Sequence, residues 1–225
     1  MTPSELLELF RLELDDTHEP YFWSETEFYA YLNEAQDLFV RLIGGIADRR
    51  SPLTKISYKI GDQFKKFDSR ILRIKGAFDQ DQRVISIRNF DNFDGAGFDD
   101  DYGSHFVSGI DDTKTGELKF LITDVEAREI QLYPIPENDG YIRLFVYRRP
   151  EKPIENSSSE LEIEEQYHLD LLNWVKYKAL MKQDAETFDG NKATVFRQMF
   201  TEAVENADYA KRAREDRKRA VRFSW

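Results

Sequence analysis

The sequence predicts an α+β protein: a four-helix bundle built from both chain ends, with a small antiparallel β barrel or sandwich inserted between the two helical pairs. Three observations carry this. Apolar residues recur at steps of three and four at both ends of the chain; after Gly44-Gly45 the period drops to two; and the stretch from Pro150 to Ser159 breaks the composition before the helical period returns. The boundaries that follow are 1–50 and 154–220 for the bundle, 51–153 for the β domain, and 221–225 for a C-terminal tail.

The best-specified element is Trp23 to Ile46. Ser24 with Glu27 forms a capping box, Trp23 can staple onto Phe28, and Phe28, Tyr31, Leu32, Ala35, Leu38, Phe39, Leu42 and Ile46 make one apolar stripe. That stripe places Leu38 and Leu42 in the bundle interior and leaves Gln36 off the buried face. A second capping box, Thr2 with Glu5 and Pro3 in the first helical position, starts a helix lined by Leu6, Leu7, Phe10 and Leu14 that ends near Asp16. The third helix is expected over Leu161 to Lys182 and the fourth from about Ala193 to Lys218, with Phe196, Met199, Phe200, Val204 and Ala207 on its stripe.

Between the helical ends, Ile56, Tyr58 and Ile60 alternate with polar residues. Further strands are expected at Phe64 to Phe67, Arg70 to Lys75, Val84 to Ile87, Leu118 to Ile122, Glu129 to Tyr133 and Tyr141 to Tyr147. The segment Asn89 to Ser108 is rich in Asp and Gly and carries four Phe. Asp91, Asp94, Asp99, Asp100 and Asp101 are hard oxygen donors suited to calcium, but their spacing fits no EF-hand loop, so a solvated loop is the plainer reading, and His105 reads as part of it.

Composition narrows the chemistry. The absence of Cys removes disulfides and thiolate nucleophiles, and three scattered His argue against a His-based metal centre; no cofactor is expected. No apolar run approaches a membrane span, and the acidic amphipathic N-terminus is unlike a targeting peptide, which points to a cytoplasm-like compartment and no membrane partner. The net charge of −11 argues against a free-standing nucleic-acid binder, yet seven basic residues against two acidic ones lie between Lys211 and Arg222.

This order of elements resembles the head-to-tail adaptor, or connector, proteins of tailed bacteriophages. The likeness rests on Trp23 with Tyr31-Leu-Asn-Glu-Ala-Gln36, on Tyr133-Pro-Ile-Pro136 before a strand ending Tyr147-Arg-Arg-Pro150, on Glu164 to Leu180, and on the charged end of the last helix. The resemblance implies a structural, non-enzymatic virion protein, assembled in the host cytoplasm as a ring of about twelve copies. Such a ring docks beneath the portal protein, meets a tail or nozzle protein below, and forms part of the channel through which DNA passes without sequence-specific binding. On this reading Arg214, Arg217, Arg219 and Arg222 would pair with portal carboxylates, and Phe223 and Trp225 would fill apolar pockets.

Two other classes are consistent with parts of the chain. A cell-wall glycan hydrolase would use paired carboxylates, nominally Glu13, Asp15 and Asp16, or Glu164 and Glu165. A nucleic-acid-binding protein would use Lys211 to Arg222, although Glu215 and Asp216 interrupt that run.

Overall fold

A computed structural model describes residues 1–89, 113–183 and 187–216 of the chain, the side chains of 215 and 216 excepted. The chain divides into two compact units: Met1–Ile46 with Arg149–Trp225, and Ala47–Arg148.

In the first unit, α1 (Pro3–Glu13) and α2 (Glu25–Leu42) both start on capping boxes. The side chains of Thr2 and Ser24 accept from the N–H of Glu5 and Glu27, whose carboxylates accept in return from the cap N–H groups. Trp23 and Phe28 are both buried and meet through Phe10, whose ring lies 5.5 Å from Trp23 and 5.2 Å from Phe28. The Trp23 indole N–H donates to the carbonyl of Ala179 (3.1 Å), tying the start of α2 to the third helix. That helix, α3 (His168–Leu180), packs against α1, α2 and the long α4 (Gly190–Asp216).

Among the described residues the second unit, with Ile46 at its edge, holds ten strands: β1 (Ile46–Asp48), β2 (Lys55–Tyr58), β3 (Phe64–Lys66), β4 (Ile71–Phe78), β5 (Val84–Asn89), β6 (Thr115–Gly116), β7 (Phe120–Thr123), β8 (Glu129–Tyr133), β9 (Ile135–Pro136) and β10 (Gly140–Arg148). Eight of them form one sheet in the order β1-β10-β4-β5-β7-β8-β3, with β2 also on β10, while β6 and β9 pair separately. Ile142, Leu144 and Val146 of β10 point into the core with Ile56, Ile71, Ala77, Ile85, Leu121, Ile130 and Leu132. The near-buried pair Arg148 and Asp48 (2.6 Å) ties the last residue of β1 to the last residue of β10. Burial alone would raise the Asp48 pKa, but the guanidinium and the N–H groups of Arg50 and Ser51 hold the carboxyl far below the usual carboxylate range.

The expected fold class is therefore corrected. A large eight-stranded mixed sheet stands where a small antiparallel barrel or sandwich was expected: the strand order runs from β1 to β3 without closing, and β5 and β7 are parallel, Ser86 opposite Phe120 and Asn89 opposite Thr123. A parallel pair cannot be joined by a tight hairpin and needs a long connection, which is the place of the Asp-rich segment between them. The helices do not make the expected four-helix bundle from both chain ends either. α1 has 11 residues and α3 has 13 against 18 in α2 and 27 in α4, so the short helices cannot line the full length of the long ones. α3 instead acts as a hub. The expected helix from Leu161 begins only at His168, because Ile163 reaches the core from extended chain and Glu165–Tyr167 form a 3-10 turn.

The buried face of α2 is also rotated from the expected stripe. Leu42 is exposed and Leu38 only partly buried, whereas Tyr29, Gln36 and Val40 are buried. Gln36 is tolerated inside because its Oε1 accepts the N–H of Glu162 (2.8 Å), so neither polar group is left unpaired.

Candidate docking surface on the last helix

The root of the basic run belongs to the fold rather than to a free tail. α2 ends in a Schellman motif: Gly44 has φ +78°, its N–H donates to Arg41 O (3.2 Å), and the N–H of Gly45 donates to Val40 O (2.7 Å). Two carbonyls at this end, those of Ile43 and Gly45, accept from the Lys211 ammonium at 2.7 and 2.8 Å. A cation at a helix C-terminus is favourable both as a hydrogen-bond donor and against the negative end of the helix dipole. Lys211 thus locks α4 onto α2 from 168 positions away in sequence, a role that no local pattern announces.

One turn further on, Arg214 reaches Glu164 at 3.3 Å, with both side chains about 60% exposed. Such a solvated pair contributes roughly 0 to 1 kcal/mol and exchanges easily for another carboxylate. Arg212 pairs with Asp208 along the same helix (2.8 Å). Between α3 and α4, leading to Arg214, runs a groove of about 490 Å³ lined in part by Tyr167, Asp170, Met199, Ala203 and Ala207. Burial raises the Asp170 carboxyl above its ordinary pKa. Of the residues expected to bind a partner, Arg214 is placed as described; Arg217, Arg219, Arg222, Phe223 and Trp225 lie outside the described residues.

The carboxylates considered for glycan cleavage are drawn into separate structural contacts. Glu13 pairs with the buried Lys176, and Asp16 is buried where it accepts from Arg11 (3.3 Å) and from the N–H of Phe22 (2.8 Å). Glu164 meets Arg214, and Glu165 meets the N-terminal ammonium (2.7 Å), which holds its carboxyl below the ordinary value. Asp15 is exposed at φ +55°. The Asp residues weighed for calcium, with His105, lie outside the described residues. Among the described residues, no group of Asp, Glu and His could hold a metal ion, and no helix is long and apolar enough to cross a membrane.

A family model for the SU10 adaptor protein matches residues 1–223. The chain belongs to the SU10 adaptor protein family. It is therefore a phage head-tail adaptor, a structural component of the virion. No curated protein matches this adaptor. The family match runs through the Schellman lock, Arg214 and the rest of the basic run.

Proposed function

We propose that this adaptor docks beneath the portal protein as a ring of about twelve copies, with a tail or nozzle protein below, and forms part of the DNA channel. The observation that carries this reading is the family match over residues 1–223. Two further features support it. The lock at Lys211 gives the basic C-terminal segment a fixed point of departure, and the Arg214–Glu164 pair is exposed enough to exchange for a portal carboxylate. The residues proposed to meet the portal are Arg214, Arg217, Arg219, Arg222, Phe223 and Trp225, the aromatics acting as anchors in apolar pockets. A net charge of −11 suits a channel that lets DNA pass without holding it by counterion release.

Deletion of Val221 to Trp225 tests the docking element. The expected outcome is an unchanged melting temperature with portal binding lost or sharply weakened in co-sedimentation. Full binding by the truncated chain would move the docking element to the groove between α3 and α4. Negative-stain images of the protein alone and with the portal test the ring itself, and monomers in both samples would overturn it.

A further inference from the structure

The sheet face opposite the core cluster carries exposed cations over partly or fully buried rings, a cluster that the docking reading does not use. On β10, Tyr141, Arg143, Phe145 and Tyr147 alternate with the core residues Ile142, Leu144 and Val146 and so share the opposite face. Residues directly opposite in antiparallel pairs lie on the same face, which adds Lys55 and Phe78 beside Arg143 and Arg73 beside Tyr147. The register shifts between Phe145 and Val146, and Lys75, at this irregularity, donates from its ammonium to the Tyr147 hydroxyl (3.0 Å). Arg49 joins from the loop after β1, its guanidinium 4.2 Å from the Phe78 ring centre and its carbonyl accepting from Arg143 (3.4 Å).

Two properties suit this face to anions. First, β2, β4 and β10 contain no Asp or Glu, and among the described residues Arg49, Lys55, Arg73, Lys75 and Arg143 have no ion pair with a carboxylate. Five cations without counter-charge in a chain of net charge −11 form a strong local reversal. Second, the rings hold the cations in place: Lys55 sits 4.2 Å from the Tyr141 ring centre, Arg73 4.7 Å from Tyr147, and Lys75 5.2 Å from Phe145. Rings capped in this way are not open platforms for nucleobases, so the face suits negative charge rather than stacked bases.

The chain itself supplies a matching anion. The segment 90–112, between β5 and β6, holds seven Asp and no Lys or Arg, together with four Phe and a Tyr that can add to the aromatic contacts. Copies with a net charge of −11 repel one another, and a head-to-tail ring needs two different, complementary patches on each copy. We propose that the basic face of β2, β10 and β4 receives the Asp-rich segment 90–112 of a second copy of this chain and that this contact orders neighbouring copies in the assembly. The inference rests on the reading of the adaptor as a ring.

Charge exchange tests it. Reversal of the face (Lys55→Glu, Arg73→Glu, Arg143→Glu) should reduce self-association at least about tenfold in sedimentation velocity, with the melting temperature retained. Reversal of the segment (Asp99→Lys, Asp100→Lys, Asp101→Lys) should do the same. Mixing the two variants should restore association, since each then offers the other a matched patch. If the reversed face does not fold, Lys55→Gln, Arg73→Gln and Arg143→Gln should show the same loss with a weaker salt dependence than the wild type. Wild-type association that survives reversal of the face overturns the inference while leaving the ring intact. A wild type that never self-associates overturns both. Rescue only when both reversals sit in one chain would show that the segment covers its own copy, and loss of duplex DNA binding with unchanged association would assign the face to nucleic acid; either result overturns the contact between copies.

Discussion

The two units solve the problem of building a core with different residues. In the helical unit rings are buried among the aliphatic side chains: Phe10, Trp23, Phe28, Tyr29, Phe39 and Phe200 belong to the core cluster and meet across segments far apart in sequence. In the sheet unit the core cluster is aliphatic, Ile, Leu, Val and Ala, while Tyr141, Phe145 and the buried Tyr147 lie on the other face with cations over them. Helices with axes about 8 to 10 Å apart leave irregular gaps that large rings fill, whereas strands under 5 Å apart present regular rows in which branched aliphatic side chains interdigitate. The difference teaches that aromatic content does not locate a core in this chain, because rings pack into the core cluster of one unit and, in the other, stand on the sheet face opposite its core cluster.

The comparison is most directly broken at Phe39, which is fully buried with Tyr167 at 5.2 Å and Phe200 at 6.1 Å. Phe39→Ala should destabilise by about 3 to 5 kcal/mol, the range for emptying a ring-sized site. Chemical denaturation measures it, and a loss under about 1 kcal/mol would mean that the helical core does not depend on its rings.

In the sheet unit the corresponding weak point is polar. Arg148→Ala strands the near-buried Asp48 and should cost about 3 kcal/mol, the lower end for breaking a buried pair from one side. The pH dependence sharpens the test. The folded pKa of Asp48 lies below its unfolded value, so its stabilisation is present above the ordinary carboxylate pKa and fades as pH falls through the folded one. Between about pH 5 and pH 2 the wild type should therefore lose more stability than Arg148→Ala; equal acid sensitivity would show that the pair does not set the Asp48 charge.

The smallest effect is expected at Leu42, which is 53% exposed despite standing on the apparent stripe of α2. Leu42→Ala should change stability by less than about 0.5 kcal/mol, and a core-sized loss would restore the stripe read from periodicity.

Legibility followed the range of the forces involved. Helix starts were readable because a capping box is written within four residues, as in Thr2 to Glu5 and Ser24 to Glu27. The limits of β8 were equally local. The burial of Gln36 was not readable, since its acceptor serves an N–H 126 positions away. The parallel pairing of β5 with β7 was hidden for a similar reason: hairpin turn chemistry signals antiparallel neighbours, while a long crossover carries no register signal. At the candidate site, the basic run was visible as a run, but its division into a structural anchor at Lys211 and an exchangeable surface charge at Arg214 depends on partners at Ile43, Gly45 and Glu164.

The place of β10 in the sheet carries a consequence for how the chain is made. β10 is the last strand in sequence among the described residues, yet it borders β1, β2 and β4, so β1 and β2 leave the ribosome without a partner strand, and β4 with one edge unpaired, until residue 148 has been synthesised. The helical unit repeats the pattern, because α1 and α2 appear first and wait for the α3 hub. Closure in both units is therefore set by late, long-range contacts, which slows folding and prolongs the exposure of unpaired edges and apolar faces. A ribosome stalled before β10 emerges should hold a nascent chain open to proteases and chaperones along most of its length.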